Sequence, residues 1–228
     1  MSFVGRFARF AKIGAVSTLS FGAGVAVFGR SWPDTSQEQL KVTDQRSQAI
    51  LDSVKGSKLY KQLAADSSFE LLNASDMVPN AHRKYHVGQG LFNSPKHIAI
   101  DPIVFINKDK GQLYCISHFG DELVGTDTKV HNGIVSTLID EELCVCGFPK
   151  LPNKRGVTAQ LKLNFYNKVP PNSTVLLKAN VEEFRGRKCL IRGTVELFDS
   201  PKTKIADGQC VLVEPTWFKY LNWVPVFN

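Results

Sequence analysis

The feature that most constrains the fold is a polar turn that leads directly into an apolar helix. The turn is His131-Asn132-Gly133. After it, Val135, Ile139 and Leu143 repeat at four-residue spacing. This spacing predicts a nearly fully buried helix over about residues 132–146. Because such a helix lies at the centre of a domain, the remaining elements have to surround it.

One acid, Asp140, lies on the third turn of this helix. A carboxylate in apolar surroundings is costly unless another group compensates for its burial. Asp140 is therefore either held by a polar partner in a structural role or kept as a catalytic base whose pKa its surroundings set. Glu141 and Glu142 lie about 100° and 200° further round the helix, and we expect them to face solvent or a neighbouring subunit.

Residues 98–228 have the alternation of apolar and polar side chains that is typical of β-strands. The turns after residues 165, 184 and 198 are short, so each of the last four strands is expected to pair antiparallel with the next. A long helix set among antiparallel strands predicts an α+β domain in which the sheet wraps the helix. The predicted strands are 102–107, 112–118, 157–165, 174–184, 188–198 and 204–213.

The first 30 residues contain four cations and no acid, and residues 13–29 are uncharged. This composition is typical of a mitochondrial targeting segment. The 17-residue apolar run is also at the short end of the length that crosses a bilayer, so a single-pass membrane anchor is an alternative that the targeting role does not exclude. We expect residues 1–30 to form a separate targeting or membrane segment.

Residues 31–97 are predicted to form a helical and loop extension. Ser36 with Gln39 is expected to cap a helix over about 37–54, a second helix follows at 57–65, and 69–72 is a candidate strand. Three histidines in this region lack a helical frame and cysteine partners, so they are expected to be solvated loop residues rather than metal ligands. They are His82, His86 and His97. The aromatic C-terminus is expected to pack as core. Its residues are Trp217, Phe218, Tyr220, Trp223 and Phe227.

Charge and cysteine content exclude several classes of function. Without the four cations of the first 30 residues, the formal net charge of +7 falls to +3, and no basic run suggests a nucleic-acid partner. The five cysteines lie in apolar runs without any CxxC pair. They are expected to be buried thiols, which predicts neither a zinc site nor disulfides. They are Cys115, Cys144, Cys146, Cys189 and Cys210.

An ordered series of motifs over about residues 98–216 resembles the hotdog-fold acyl-CoA thioesterases, especially fungal mitochondrial members and animal thioesterase superfamily members 4 and 5. The series combines the helix entrance and its acid with short motifs on the following strands. These are His131-x-Gly133 with Asp140, Gly156-Val157-Thr158-Ala159, Leu163-Asn164-Phe165, Val169-Pro170, Gly186-Arg187-Lys188, Ala206 and the segment 211–214. The resemblance implies a hotdog domain over residues 98–228.

The resemblance also implies roles for individual residues. Asp140 matches the family's catalytic acid and Thr158 its partner, and the backbone N–H groups at Asn132 and Gly133 match the helix entrance that polarises the thioester carbonyl. Asn132 replaces a residue that is usually glycine in the family. His131 would lie at the substrate, and Arg187 with Lys188 would meet the phosphates of coenzyme A.

The expected function is hydrolysis of a fatty acyl-CoA thioester to the free acid and CoA, with CoA as part of the substrate and no metal or other cofactor. The alternative is a hotdog domain without turnover that binds acyl-CoA or lipid or serves in an assembly, and Asn132 favours it. A homodimer or dimer of dimers is expected because a lone sheet would leave an edge strand and one side of the site open. The expected location is the mitochondrion, with membrane attachment through residues 1–30.

Overall fold

A computed structural model of the chain describes residues 3–28, 44–78, 83 and 85–221. Contacts divide the chain into two compact units, residues 1–35 with 217–228 and residues 36–216. The predicted cap at Ser36 and Gln39, His82, and the aromatic residues Trp223 and Phe227 lie outside the described residues. Trp217 and Tyr220 are described and exposed, which corrects the expectation that they pack as core. The helices are α1 (Phe3–Phe28), α2 (Gln45–Gly56), α3 (Lys58–Ala65), α4 (Asn132–Gly147) and α5 (Phe218–Leu221), and the strands are β1 (Glu70–Asn73), β2 (Ile103–Asn107), β3 (Gln112–Phe119), β4 (Val157–Phe165), β5 (Ser173–Arg185), β6 (Lys188–Leu197) and β7 (Lys204–Val213).

The predicted central helix is confirmed as α4. His131 caps its first turn, because its Nδ1 atom accepts the backbone N–H of Gly133 at 3.0 Å. Ile139 and Leu143 are fully buried against the sheet. The helix approaches the sheet closely where the sheet has glycine: a Cβ atom on Gly208 would lie 2.6 Å from Cγ2 of Ile139.

Within the described residues, seven antiparallel strands form one sheet in the order β1-β2-β3-β5-β6-β7-β4. The sheet wraps α4, which contacts all of the strands from β3 to β7. This arrangement is the predicted α+β hotdog fold.

The prediction that β4 pairs with β5 is wrong. The chain leaves β4 at Tyr166, whose N–H donates to the carbonyl of Ile205, and enters β5 after Asn172, whose N–H donates to the carbonyl of Gly120. Residues 166–172 therefore cross the end of the sheet from β7 to β3. Seven extended residues reach about 23 Å, and three strand spacings require only about 14 Å. Its length allows both a hairpin turn and this crossing, so local sequence does not distinguish the two paths.

Helices α2 and α3 of the extension pack on the outer face of the sheet. Val54 of α2 and Leu63 of α3 join Phe105 and Ile116 in a second apolar cluster on that face. Ser57 caps α3, which begins one residue after the predicted start, since its hydroxyl accepts the N–H of Tyr60 at 3.2 Å. β1 pairs with β2 and adds an edge strand to the sheet.

The N-terminal unit contains α1, a helix of 26 residues. No helix in the described ranges combines the length and the apolar character that a bilayer span requires. The predicted span is thus not found.

Candidate active site

The acid singled out in the sequence, Asp140, lies on α4 where the helix faces β4 and is half-buried. Its Oδ1 atom accepts a hydrogen bond from Oγ1 of Thr158 at 2.9 Å. Thr158 lies beside a bulge, since the pairing of β4 with β7 shifts register between Thr158 and Gln160. Bulges of this kind often re-aim a side chain next to an active site. The structure thus brings together two residues that lie 18 positions apart and that the resemblance to thioesterases assigns to one site.

Asp140 lines a pocket of about 480 Å³. This volume is in the range of small-molecule sites. The walls are mainly apolar and come from α4, from the segment after β1 and from β2. The apolar lining residues are Leu72, Ala74, Met77, Val78, Ile106, Val145, Phe148 and Pro149. The extension therefore supplies part of the wall beside the candidate catalytic acid.

The helix entrance is not part of this pocket. Residues 131 and 133 are exposed, and Asn132 is half-buried. Because Gly133 already donates its N–H to His131, the N–H at Asn132, the first residue of α4, is the better candidate for a substrate oxygen. Eight residues of helix separate Asn132 from Asp140, which corresponds to about 12 Å. One chain alone does not bring the entrance and the acid to the same carbonyl group.

Glu141 also lines the pocket, which corrects the expectation that it faces solvent. Its Oε1 atom accepts the N–H of Gly88 at 3.3 Å. Burial raises the pKa of Glu141 to about 7; the Gly88 bond opposes this shift and the charge of Asp140 adds to it. His86 Nδ1 lies 3.6 Å from the same oxygen but accepts the N–H of Gln89, so it has no proton to share with Glu141. Burial lowers the pKa of His86, which favours the neutral ring.

Glu142 is also covered, which corrects the expectation that it faces solvent or a neighbouring subunit. It is only 3% exposed, and its Oε2 atom has no hydrogen-bond partner among the described residues. Burial raises its pKa to about 8, and the charge of Glu141 adds to the shift. A proton on Glu142 avoids an uncompensated buried charge at neutral pH. Helical periodicity places these side chains around α4, but only the packed loops and strands show that both are covered.

The two residues expected to bind the CoA phosphates do not line the pocket beside Asp140. Arg187 and Lys188 are exposed at the turn between β5 and β6, where Gly186 has a φ of +59°. Arg187 Nη1 donates to the carbonyl of Glu214 at 2.7 Å. Neither residue lines the Asp140 pocket; Lys188 instead lines a second, smaller pocket of about 300 Å³.

Two thiols lie beside the candidate acid. Cys144, one helical turn after Asp140, has its Sγ atom 3.2 Å from Oγ1 of Thr158. The Oδ atom of Asp140 and the sulfurs of Cys144 and Cys210 all lie within 4.8 Å of one another. A hydrogen bond with Cys210 and burial both raise the pKa of Cys144. All five cysteines are free thiols.

Sequence comparison identifies relatives in fungi and animals, although no protein-family model matches the chain. An uncharacterised mitochondrial protein of Candida albicans (strain WO-1) is 42% identical over 215 residues, covering 91% of this chain and 95% of that protein. MIOREX complex component 3 of Saccharomyces cerevisiae is 39% identical over 251 residues, covering 92% and 93%. The acyl-coenzyme A thioesterase THEM4 of Rattus norvegicus is 28% identical over 98 residues, covering 42% of this chain and 40% of that enzyme.

The two fungal relatives match almost the whole chain, whereas the match to the animal enzyme covers less than half of either protein. The seven-stranded sheet around α4 is the hotdog architecture in which the candidate acid and its threonine partner lie. This protein therefore has the hotdog fold, part of its sequence is similar to the acyl-CoA thioesterase THEM4, and it belongs to the family that includes MIOREX complex component 3 of Saccharomyces cerevisiae.

Proposed function

We propose that this protein hydrolyses a fatty acyl-CoA thioester to the free acid and CoA. The observation that carries the proposal is the hydrogen bond between Thr158 and Asp140 beside an apolar pocket of about 480 Å³. A carboxylate next to an apolar cavity suits a substrate with a long acyl chain and a reactive carbonyl group. The similarity to an acyl-coenzyme A thioesterase supports the same activity.

In this mechanism Asp140 activates the attacking water as a general base or attacks the thioester carbon itself. Thr158 donates to Oδ1 of Asp140, so Oδ2 remains to accept a proton from water. The N–H of Asn132, at the positive end of α4, stabilises the oxyanion that forms on the thioester carbonyl. CoA leaves as the thiol and is part of the substrate; the scheme uses no metal or other cofactor.

The separation of about 12 Å along α4 requires two chains, with the acid from one and the helix entrance from the other. The outer edge of β4 has no partner strand within the described residues. Val157 and Phe165 are exposed there. A second copy pairing along β4 would cover this edge and complete the site. Arg187 and Lys188 remain our candidates for the CoA phosphates because both are exposed cations.

A second candidate function is supported by the name of the Saccharomyces cerevisiae relative, which is a component of the MIOREX complex. In this alternative the hotdog domain serves in an assembly or binds acyl-CoA without turnover. Asn132 favours this role because its side chain crowds a position that is usually glycine in the thioesterases the chain resembles.

Incubation of the purified chain with acyl-CoAs of 2 to 18 carbons and a thiol reagent separates the two functions. Hydrolysis predicts CoA release that Asp140→Asn lowers by about 10²-fold or more, with KM largely kept, because the variant loses the base and keeps the shape. The exposed Asp109→Asn, at the turn between β2 and β3, is the control and should retain the wild-type rate. Acyl-CoA binding without release, or an unchanged rate in Asp140→Asn, would reject the mechanism.

We also propose that residues 1–30 target the chain to mitochondria. The Candida albicans relative is a mitochondrial protein, and the segment is basic and free of acids. A fluorescent protein fused to residues 1–30 should accumulate in mitochondria of yeast cells. Replacing Arg6, Arg9 and Lys12 with glutamine should leave the fusion in the cytosol. A cytosolic fusion with the native segment would reject the assignment.

A further inference from the structure

A cluster of three metal-ligating side chains lies beside the candidate catalytic acid. Asp140 and Cys144 are four residues apart and share one face of α4, and Cys210 projects from β7 towards them. The three ligand atoms lie within 4.8 Å of one another. No spacing in the sequence indicates this set, because its members come from two elements that only the fold brings together.

We propose that Asp140, Cys144 and Cys210 bind a divalent transition-metal ion, with Zn²⁺ as the preferred ion. Two thiolates with one carboxylate form a soft donor set that selects zinc or cobalt over magnesium and calcium. Zinc–sulfur bonds of about 2.3 Å in a tetrahedral site place two sulfurs roughly 3.8 Å apart. The ligand atoms therefore need to approach one another by about 1 Å at most, which side-chain rotation supplies.

The fourth coordination position opens to the pocket. Asp140 and Cys144 both line it, whereas Cys210 is fully buried behind them. A three-ligand zinc site that opens to solvent keeps a water molecule in its fourth position. The ion would hold the carboxylate that Thr158 now orients, so metal binding and base catalysis by Asp140 exclude each other. This inhibition rests on the proposed function, but metal binding does not.

Titration of the full chain with Co²⁺, in a phosphine reductant that keeps the thiols reduced, tests the site without any activity measurement. The wild type should give a thiolate-to-cobalt charge-transfer absorption that saturates at one ion per chain and is displaced by Zn²⁺. Cys144→Ser and Cys210→Ser should each weaken binding at least tenfold. Cys146→Ser is the matched control: Cys146 lies on the same helix, but its sulfur faces the carbonyl of Gly111 at 3.5 Å, so binding should be unchanged.

Asp140→Asn keeps both thiols and should retain the charge-transfer absorption with about tenfold weaker affinity, which provides a test even if a cysteine variant fails to fold. Absence of the absorption in the wild type, or equal binding by Cys144→Ser and Cys146→Ser, would overturn the site. Equimolar Zn²⁺ should also abolish acyl-CoA hydrolysis. If Zn²⁺ binds and hydrolysis continues at the full rate, the proposed inhibition by zinc is wrong but the metal site stands. If the wild type hydrolyses no acyl-CoA, the cobalt titration alone decides whether the metal site exists.

Discussion

At the scale of single residues, the hydrogen bond from Thr158 defines which oxygen of Asp140 remains for chemistry. Thr158→Val keeps the side-chain volume and removes the donor, so Asp140 loses its orientation. We expect kcat to fall by about tenfold or more while KM changes little. Thr158→Ser keeps the hydroxyl and should retain most of the rate. Steady-state kinetics on one acyl-CoA decides this, and equal rates for the valine and serine variants would contradict it.

The buried acid Glu142 makes a prediction about stability and pH. Its pKa is about 8 in the folded chain and near 4.5 when exposed, so the folded state holds a proton that the unfolded state has released. The free energy of unfolding should therefore decrease as the pH rises from about 5 to 8 and level off above that. Glu141, with a pKa of about 7, contributes in the same direction up to that pH.

Glu142→Gln removes this titration. The wild type should lose on the order of a few kcal/mol between pH 5 and 8, and the variant should lose clearly less. Urea unfolding at several pH values measures the slope, with the exposed Glu183→Gln as the control that keeps the wild-type slope. Equal slopes in wild type and Glu142→Gln would show that Glu142 does not hold the proton.

At the scale of elements, a substitution at the first residue of α4 distinguishes an effect on helix formation from an effect on catalysis. Proline is well tolerated at this position and lacks an N–H, and the extended conformation of His131 (φ −65°, ψ 133°) is one that the residue before proline adopts. Asn132→Pro should therefore fold normally and lower kcat by about 10²-fold, because the oxyanion loses its donor. Asn132→Gly keeps the N–H and should retain kcat. Circular dichroism and kinetics together check this; wild-type turnover in Asn132→Pro would exclude the N–H from the mechanism.

At the scale of the whole molecule, the open edge of β4 predicts a dimer. Light scattering of the wild type should give at least twice the monomer mass, and Val157→Lys with Phe165→Lys should shift it towards the monomer. Leu71→Lys, at the opposite edge of the sheet, is the matched control because Leu71 is similarly exposed. A monomeric wild type, or dissociation by Leu71→Lys instead, would contradict pairing along β4.

A shared site also predicts complementation between two inactive chains. Asp140→Asn keeps the entrance and Asn132→Pro keeps the acid, so a heterodimer has one complete site of its two. Refolding the two variants together in equal amounts should restore about a quarter of the wild-type rate, since half of the dimers are mixed. No gain over the separate variants would place the acid and the entrance in one chain or in independent sites.

Local sequence determined most of the elements. Neighbouring residues predict these elements because side-chain periodicity and backbone sterics act over a few positions. Examples are the apolar period of α4, the alternation in β4 to β7, and the turn at 108–111, where Gly111 has a φ of +65°. Asp140 and Thr158 were predicted as partners through their resemblance to known thioesterases, and the structure places them 2.9 Å apart.

Only the tertiary structure decided which elements meet. It placed β4 beside β7 rather than β5, because a seven-residue connection is long enough for either path. It also covered Glu141 and Glu142 with segments distant in sequence. This burial raises the pKa values of both acids, and their positions on the helix alone do not predict it. The Asp140, Cys144 and Cys210 cluster arises in the same way, since the contact between α4 and β7 depends on how the helix packs on the sheet and not on sequence spacing.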